Sequence, residues 1–101
     1  MKILLYLYQY EFTFEGNWDC LFFPNVGEQL SIFSFLSDED KKTMAMLRCS
    51  EVADDIQCSA FQSNHADIPL LNILCNHSCL IEQKSWNYTN NEWVCSFVLK
   101  L

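Results

Sequence analysis

Ser85-Trp86-Asn87-Tyr88-Thr89-Asn90-Asn91-Glu92-Trp93-Val94-Cys95-Ser96-Phe97-Val98-Leu99 carries the strongest fold signal in this chain. Two runs rich in aromatic and β-branched residues flank the turn formers Thr89-Asn90-Asn91, a pattern that predicts a β-hairpin. The hairpin reads over Cys79 to Leu101. On the returning strand, alternation puts Trp93, Cys95, Phe97, Leu99 and Leu101 on one face, which reads as core. Glu92, Ser96 and Lys100 take the other face, joined by Val94 and Val98. On the outgoing strand, Trp86 and Tyr88 fall with Leu80, Glu82 and Lys84, whereas Ile81 falls with Gln83, Ser85 and Asn87. Neither face of that strand is cleanly apolar, and this marks Trp86 and Tyr88 as candidate binding residues.

At the other end of the chain, Lys2 to Phe14 reads as a first strand. Leu4, Tyr6, Tyr8, Tyr10, Phe12 and Phe14 share one face. Ile3, Leu5 and Leu7 share the opposite face, which turns polar at Gln9, Glu11 and Thr13. The first half of the strand therefore reads as buried on both sides and the second half as half-exposed. Glu15-Gly16-Asn17 reads as a turn, and Trp18 to Phe23 as the strand that completes a hairpin. The apolar N-terminal run is short, rich in tyrosine and interrupted by Gln9 and Glu11, so it reads as a strand and not as a secretion leader.

Between these ends, Pro24 presets a turn, Gly27 permits a positive φ, and Leu30 and Ile32 alternate into a strand. The run Pro24-Asn25-Val26-Gly27-Glu28-Gln29-Leu30-Ser31-Ile32 resembles the strand-opening turn of SH3-like small β-barrels. That resemblance implies architecture and carries no functional residue. Ser37-Asp38-Glu39-Asp40 predicts a helix start: the serine caps free amides, and the carboxylates suit the positive end of the helix dipole. Lys41 to Arg48 continues it, with Met44 and Leu47 inward. From there two readings compete. Ala45, Cys49, Val52 and Ile56 keep helical spacing, whereas Met44–Val52 and Ile56–Phe61 could pair as a hairpin turning at Asp54-Asp55. Asp67-Ile68-Pro69 predicts a further helix start, with Leu70, Leu71 and Leu74 as its apolar stripe.

The class these segments define is α+β in one domain: an antiparallel, strongly curled sheet or small SH3-like or OB-like barrel of about five or six strands, with one or two short helices. A chain of 101 residues is one domain by size. It is 50% hydrophobic, enough for a core that needs no staples.

Composition excludes several functions. Only Gly16 and Gly27 are glycine, so no glycine-rich loop can cradle phosphates. Six Lys and Arg against a formal net charge of −7 argue against direct binding of nucleic acid, whose backbone is held mainly by basic side chains. No apolar run is long enough to span a bilayer. The expected address is the cytoplasm, with no membrane partner. The acidity favours solubility, and leaves mimicry of nucleic acid by the acidic N-terminal third as an alternative.

The cysteines are Cys20, Cys49, Cys58, Cys75, Cys79 and Cys95. In a reducing compartment they read as small buried hydrophobes. Cys75, His77 and Cys79 alternate and form the alternative structural zinc set, with Cys58 or His65 as a fourth ligand. A straight strand would spread these ligands by roughly 7 Å per two-residue step, so the main expectation is no metal and no cofactor. A catalytic thiolate needs an adjacent histidine and a third group that orients it. His65 and His77 sit in no such local signature. The triplets Asn76-His77-Ser78 and Asn87-Tyr88-Thr89 carry no glycan without a secretory route.

These exclusions leave a non-enzymatic interaction module, acting by contact with a protein partner or with its own copies through Trp86 and Tyr88. A second expectation is a small-ligand barrel lined by Tyr6, Tyr8, Tyr10 and Trp18.

Overall fold

The computed structural model describes residues 1–53 and 55–101. Its two terminal hairpins meet side by side. β1 (Lys2–Leu7) pairs antiparallel with β2 (Phe12–Asn17), from Lys2 opposite Asn17 to Leu7 opposite Phe12. β4 (Cys79–Thr89) pairs antiparallel with β5 (Glu92–Lys100). β5 then lies parallel to β1, from Ile3 opposite Cys95 to Leu7 opposite Leu99. A two-residue β3 (Gln29–Leu30) pairs with Leu80 and Cys79 at the far edge. The order is β2-β1-β5-β4-β3, a strongly curled half-barrel, mixed because of the one parallel pairing.

Three helices form among the described residues, α1 (Asp38–Met46), α2 (Ala60–Asn64) and α3 (Leu70–Asn76), and α1 and α3 pack on the buried face of the sheet. Ser37 starts α1 as the sequence predicts. Its Oγ accepts from Asp40 N, and the Asp40 carboxylate accepts from Ser37 N, a reciprocal capping box. Met44, Leu70 and Leu74 bring α1 and α3 onto Ile3, Leu5, Leu7, Ile81, Phe97 and Leu99, and all of these are fully buried. Each such large side chain contributes about 1.5–3 kcal/mol by leaving water. No helix among the described residues is long and apolar enough to cross a membrane.

Several sequence expectations are corrected. The first strand stops at Leu7 instead of running to Phe14. A 3-10 turn at Tyr8–Tyr10 ends with Glu11 in the left-handed region at φ 51°, and the chain doubles back there. The hairpin turn is thus the four residues Tyr8 to Glu11 that directly follow β1, and Glu15-Gly16 lies inside β2. This reversal changes the alternation. Phe14 sits opposite Leu5 and Phe12 opposite Leu7, on the buried face, and not with Leu4 and Tyr6. Gly16 is needed in β2 because an added Cβ would stand 2.8 Å from the Phe35 ring. Trp18–Phe23 forms no strand; Trp18 N and O bond back to Met1, and the segment then folds over the sheet's end. Pro24–Gly27 turns as predicted, with Gly27 at φ 92°, but the strand it opens ends at Leu30. Ile32 is instead buried just before a 3-10 turn at Phe33–Phe35.

The middle third follows neither reading. α1 ends at Met46, and among the described residues no strand pairing joins the segments around Val52 and Phe61. The turn expected at Asp54-Asp55 falls partly on Asp54, which lies outside the described residues. Leu47 and Cys49 instead tie down the entry to α3, through Leu70 N to Leu47 O at 2.8 Å and Cys49 N to Ile68 O at 3.0 Å. α2 was not expected. Its signal was present as Ser59-Ala60-Phe61-Gln62, a second capping box. Pro69 enters α3 as predicted.

Two buried glutamines hold the ends of this arrangement. Gln9 Oε1 accepts from Leu101 N at 2.7 Å, and Gln9 O from Ala53 N at 2.7 Å. Gln62 Nε2 donates to the Tyr10 hydroxyl at 3.5 Å, and that hydroxyl donates to the Cys49 carbonyl. No buried side-chain nitrogen or oxygen among the described residues lacks a partner.

Candidate interaction surface

The surface is built by the distal half of the β4–β5 hairpin. Thr89 pairs with Glu92, leaving a two-residue loop, Asn90-Asn91, with φ of 51° and 62°. Positive φ at both central residues defines the type I′ turn, whose twist matches the flanking strands, and asparagine tolerates that region. β1 reaches β5 only from Cys95 onward. Gly27 and Glu28 bond the outer edge of β4 no further than Ile81. From Trp86 to Val94 the hairpin is therefore a two-stranded arm with no further strand beside it among the described residues. At about 3.3 Å per residue it projects more than 10 Å, along a molecule measuring 42 × 27 × 23 Å.

A bulge sets which side chains the arm shows. Ile81 pairs with Leu99 and Gln83 with Val98, so Glu82 is the extra residue. One extra residue reverses the alternation. Cys79 and Ile81 point to the core before the bulge, whereas Lys84, Trp86 and Tyr88 lie on that side after it, opposite Phe97, Cys95 and Trp93. This corrects the grouping of Trp86 and Tyr88 with Leu80 and Glu82, and explains why neither face looked apolar. Trp93 is also corrected. It continues the Cys95–Phe97 face, but nothing in the helical layer reaches that far, and it is 56% exposed.

Trp86, Tyr88 and Trp93 thus share one face, and Trp86 and Tyr88 are 44% and 58% exposed. Tyr88 and Trp93 meet with ring centroids 5.2 Å apart. Trp86 meets the Phe23 ring edge-on at 5.1 Å, Phe23 stacks on Trp18 at 5.8 Å, and Trp18 on Phe35 at 6.0 Å. An aromatic row thus runs from the helical layer to the arm. Such offset and edge-on pairs each add about 0.5–1.5 kcal/mol beyond area burial. Beside this row Met1, Trp86 and Trp93 line an open apolar recess of about 510 Å³. Trp18 Nε1 donates to Phe22 O at 3.0 Å across a bend at Cys20–Phe22 that carries Leu21 and Phe22. They are 92% and 84% exposed. Sequence reasoning missed Met1, Leu21, Phe22 and Trp93, because it read Trp18–Phe23 as a strand and Trp93 as core.

The arm carries little charge, whereas the Met1 ammonium and Asp19 flank the recess and the Leu21–Phe22 segment. Glu92 is the sole charged residue between Ser85 and Val94. Lys84 lies 5.8 Å from the centroid of the Phe23 ring and donates to Asn25 Oδ1 at 3.4 Å. Several acidic residues are engaged locally: Glu28 and Glu51 accept backbone bonds from Asn25 and Arg48, and Glu15 pairs with Lys2 at 3.1 Å.

The other sequence-predicted groups do not assemble. Cys79 is buried in β4, whereas Cys75 and His77 are exposed at the end of α3. No group of three or more His, Cys, Asp or Glu among the described residues is placed to hold a metal ion. His65 and His77 pack on Phe61, with ring centroids 4.8 and 5.6 Å from it. All six thiols are free. Burial pushes the Cys79 thiol up to about 12 and raises Cys49 and Cys95 as well, keeping these three protonated and poorly nucleophilic. Burial and the bond to Cys49 likewise raise the Tyr10 hydroxyl. Tyr6, Tyr8, Tyr10 and Trp18 line no common space: Tyr8 and Tyr10 sit at the turn end of β1, and Trp18 beside Met1 at the opposite end. The interior between them is filled by Ile3, Leu5, Leu7 and Phe97.

Comparison of the chain with family models, curated proteins and solved structures finds no match.

Proposed function

We propose that this chain is a small acidic interaction module, non-enzymatic, which acts by protein–protein contact through the aromatic arm. The observation that carries this reading is the joint exposure of Trp86, Tyr88 and Trp93 on one face of a protruding hairpin. Soluble domains rarely leave contiguous apolar surface of this kind uncovered, and tryptophan and tyrosine are the side chains that anchor protein interfaces. The proposed address is the cytoplasm, a reducing compartment in which six free thiols persist.

The test is comparative capture from the source cell with the native chain and with a Trp86→Ala/Tyr88→Ala/Trp93→Ala variant of unchanged circular dichroism. A stoichiometric partner, or a second copy, held by the native chain and lost from the variant supports the reading. Equal capture by both chains, or none by either, refutes it.

A further inference from the structure

We infer that the occupant of the aromatic surface is a second copy of this chain, in a two-fold dimer in which Leu21 and Phe22 of each copy enter the Met1–Trp86–Trp93 recess of the other. This rests on the proposed interaction function and names its partner.

The patch is self-complementary. A two-fold interface uses the same patch on both subunits, so the patch must carry a projection together with the hollow that receives it. Here both are present and mechanically joined. Phe22 precedes Phe23, Phe23 packs against Trp86, and Trp86 is a wall of the recess. The projection is held in place by the Trp18 indole bond to Phe22 O and by the two Met1–Trp18 backbone bonds. The backbone of the projection is thus already ordered, which lowers the entropic cost of association.

The exposed parts of Met1, Leu21, Phe22, Trp86, Tyr88 and Trp93 amount to about 750 Å² per copy, at roughly 200 Å² per full side chain. A stable interface of standard size covers about 800 Å² per partner.

Two copies with a formal charge of −7 each repel one another, so they can meet only where like charges are sparse. The arm supplies such a place, with Glu92 alone between Ser85 and Val94 and with Lys84 behind Trp86. The residual repulsion between the bodies makes dimerisation stronger at high salt, the opposite of what a basic partner would show.

Sedimentation equilibrium of the purified chain from roughly 1 to 200 µM, at low and at about 0.5 M salt, tests the proposal. The expected result is a monomer–dimer equilibrium that tightens with salt, with a blue shift of tryptophan emission as Trp86 and Trp93 leave water. Phe22→Asp, in an exposed turn where it leaves the core untouched, is expected to weaken the dimer at least about tenfold with unchanged Tm. Trp93→Lys is expected to do the same from the recess side. A chain monomeric throughout, an open series beyond the dimer, or a dimer indifferent to both variants overturns the inference. A monomer that still captures a different partner through the arm leaves the proposed function standing.

Discussion

The two halves of the β4–β5 hairpin obey one pattern and meet opposite fates. In the proximal half Cys79, Ile81, Cys95, Phe97 and Leu99 are all fully buried. In the distal half Trp86, Tyr88 and Trp93 occupy the same face, and each is about half exposed or more. Hydrophobicity does not separate them, since the distal side chains are the larger. Cover separates them. Met44, Leu70 and Leu74 reach the proximal half, and β1 flanks it from Cys95 onward. Alternation therefore tells which face a side chain takes, and only tertiary placement tells whether that face is covered.

Truncation on either side of the boundary should separate the two halves most widely. Phe97→Ala is expected to cost about 3–5 kcal/mol and to leave much of the chain unfolded at ambient temperature. Trp93→Ala, four residues back on the same face, is expected to cost less than about 1 kcal/mol. Thermal and urea unfolding monitored by far-ultraviolet circular dichroism would read both. Equal losses would show the arm to be part of the cooperative core.

The same contrast explains how far the sequence could be read. The hairpin, the α+β class, the Ser37 cap and the Pro69 helix entry rest on local patterns, and each forms where the pattern lies. The errors arise where a single residue changes phase. Glu11 adopts a left-handed conformation without being glycine, so β1 appeared to run on to Phe14. Glu82 bulges, so the faces of β4 appeared mixed. Neither glutamate carries a composition signal for its backbone state. Trp86 and Tyr88 were legible as candidates because an interrupted apolar pattern attracts notice. Leu21, Phe22 and Met1 were not, because their grouping depends on Trp18 folding back to Met1 and Phe22.

The buried half also contains ionisable thiols, and this gives the second test. In the folded chain Cys79 is raised from 9.0 to about 12 by burial, with Cys49, Cys95 and Tyr10 raised in the same direction. A group with a raised folded pKa binds its proton more tightly when folded. Its contribution is fully present below pH 9, where both states are protonated, and falls as pH rises, because the unfolded thiol ionises first. Cys79 is expected to contribute a loss on the order of 4 kcal/mol between pH 9 and 12. Urea midpoints across that range should fall steeply in the native chain and less steeply in Cys79→Ala. A parallel fall in both would assign the alkaline loss to other groups.

Gly16 measures how closely the covered end is packed. Alanine there would place a Cβ 2.8 Å from Phe35 Cδ1 and 3.3 Å from Phe35 Cβ, so the 3-10 turn at Phe33–Phe35 must shift. A loss of about 1–3 kcal/mol is expected, as for overpacking elsewhere. An unchanged Tm would show that this layer is soft and that the boundary between the two halves is less sharp than described.

The smallest expected effect tests the bulge itself. Deleting Glu82 leaves Ile81 opposite Leu99 and Gln83 opposite Val98 as consecutive pairs, so no side chain of the arm has to change face. The hairpin loses a local bend and some right-handed twist, while the core contacts of Cys79 and Ile81 persist. The stability cost is expected to be about 1 kcal/mol or less. What changes is the direction of the arm, and with it the approach of Trp86 to Phe23 and Met1. Trp86 emission should shift, and the proposed self-association should weaken even though every aromatic side chain is retained. A deletion that unfolds the chain would make the bulge a requirement of the core. A deletion that leaves both fold and association intact would show that the arm's direction is set by the Trp18–Phe23–Trp86 row alone.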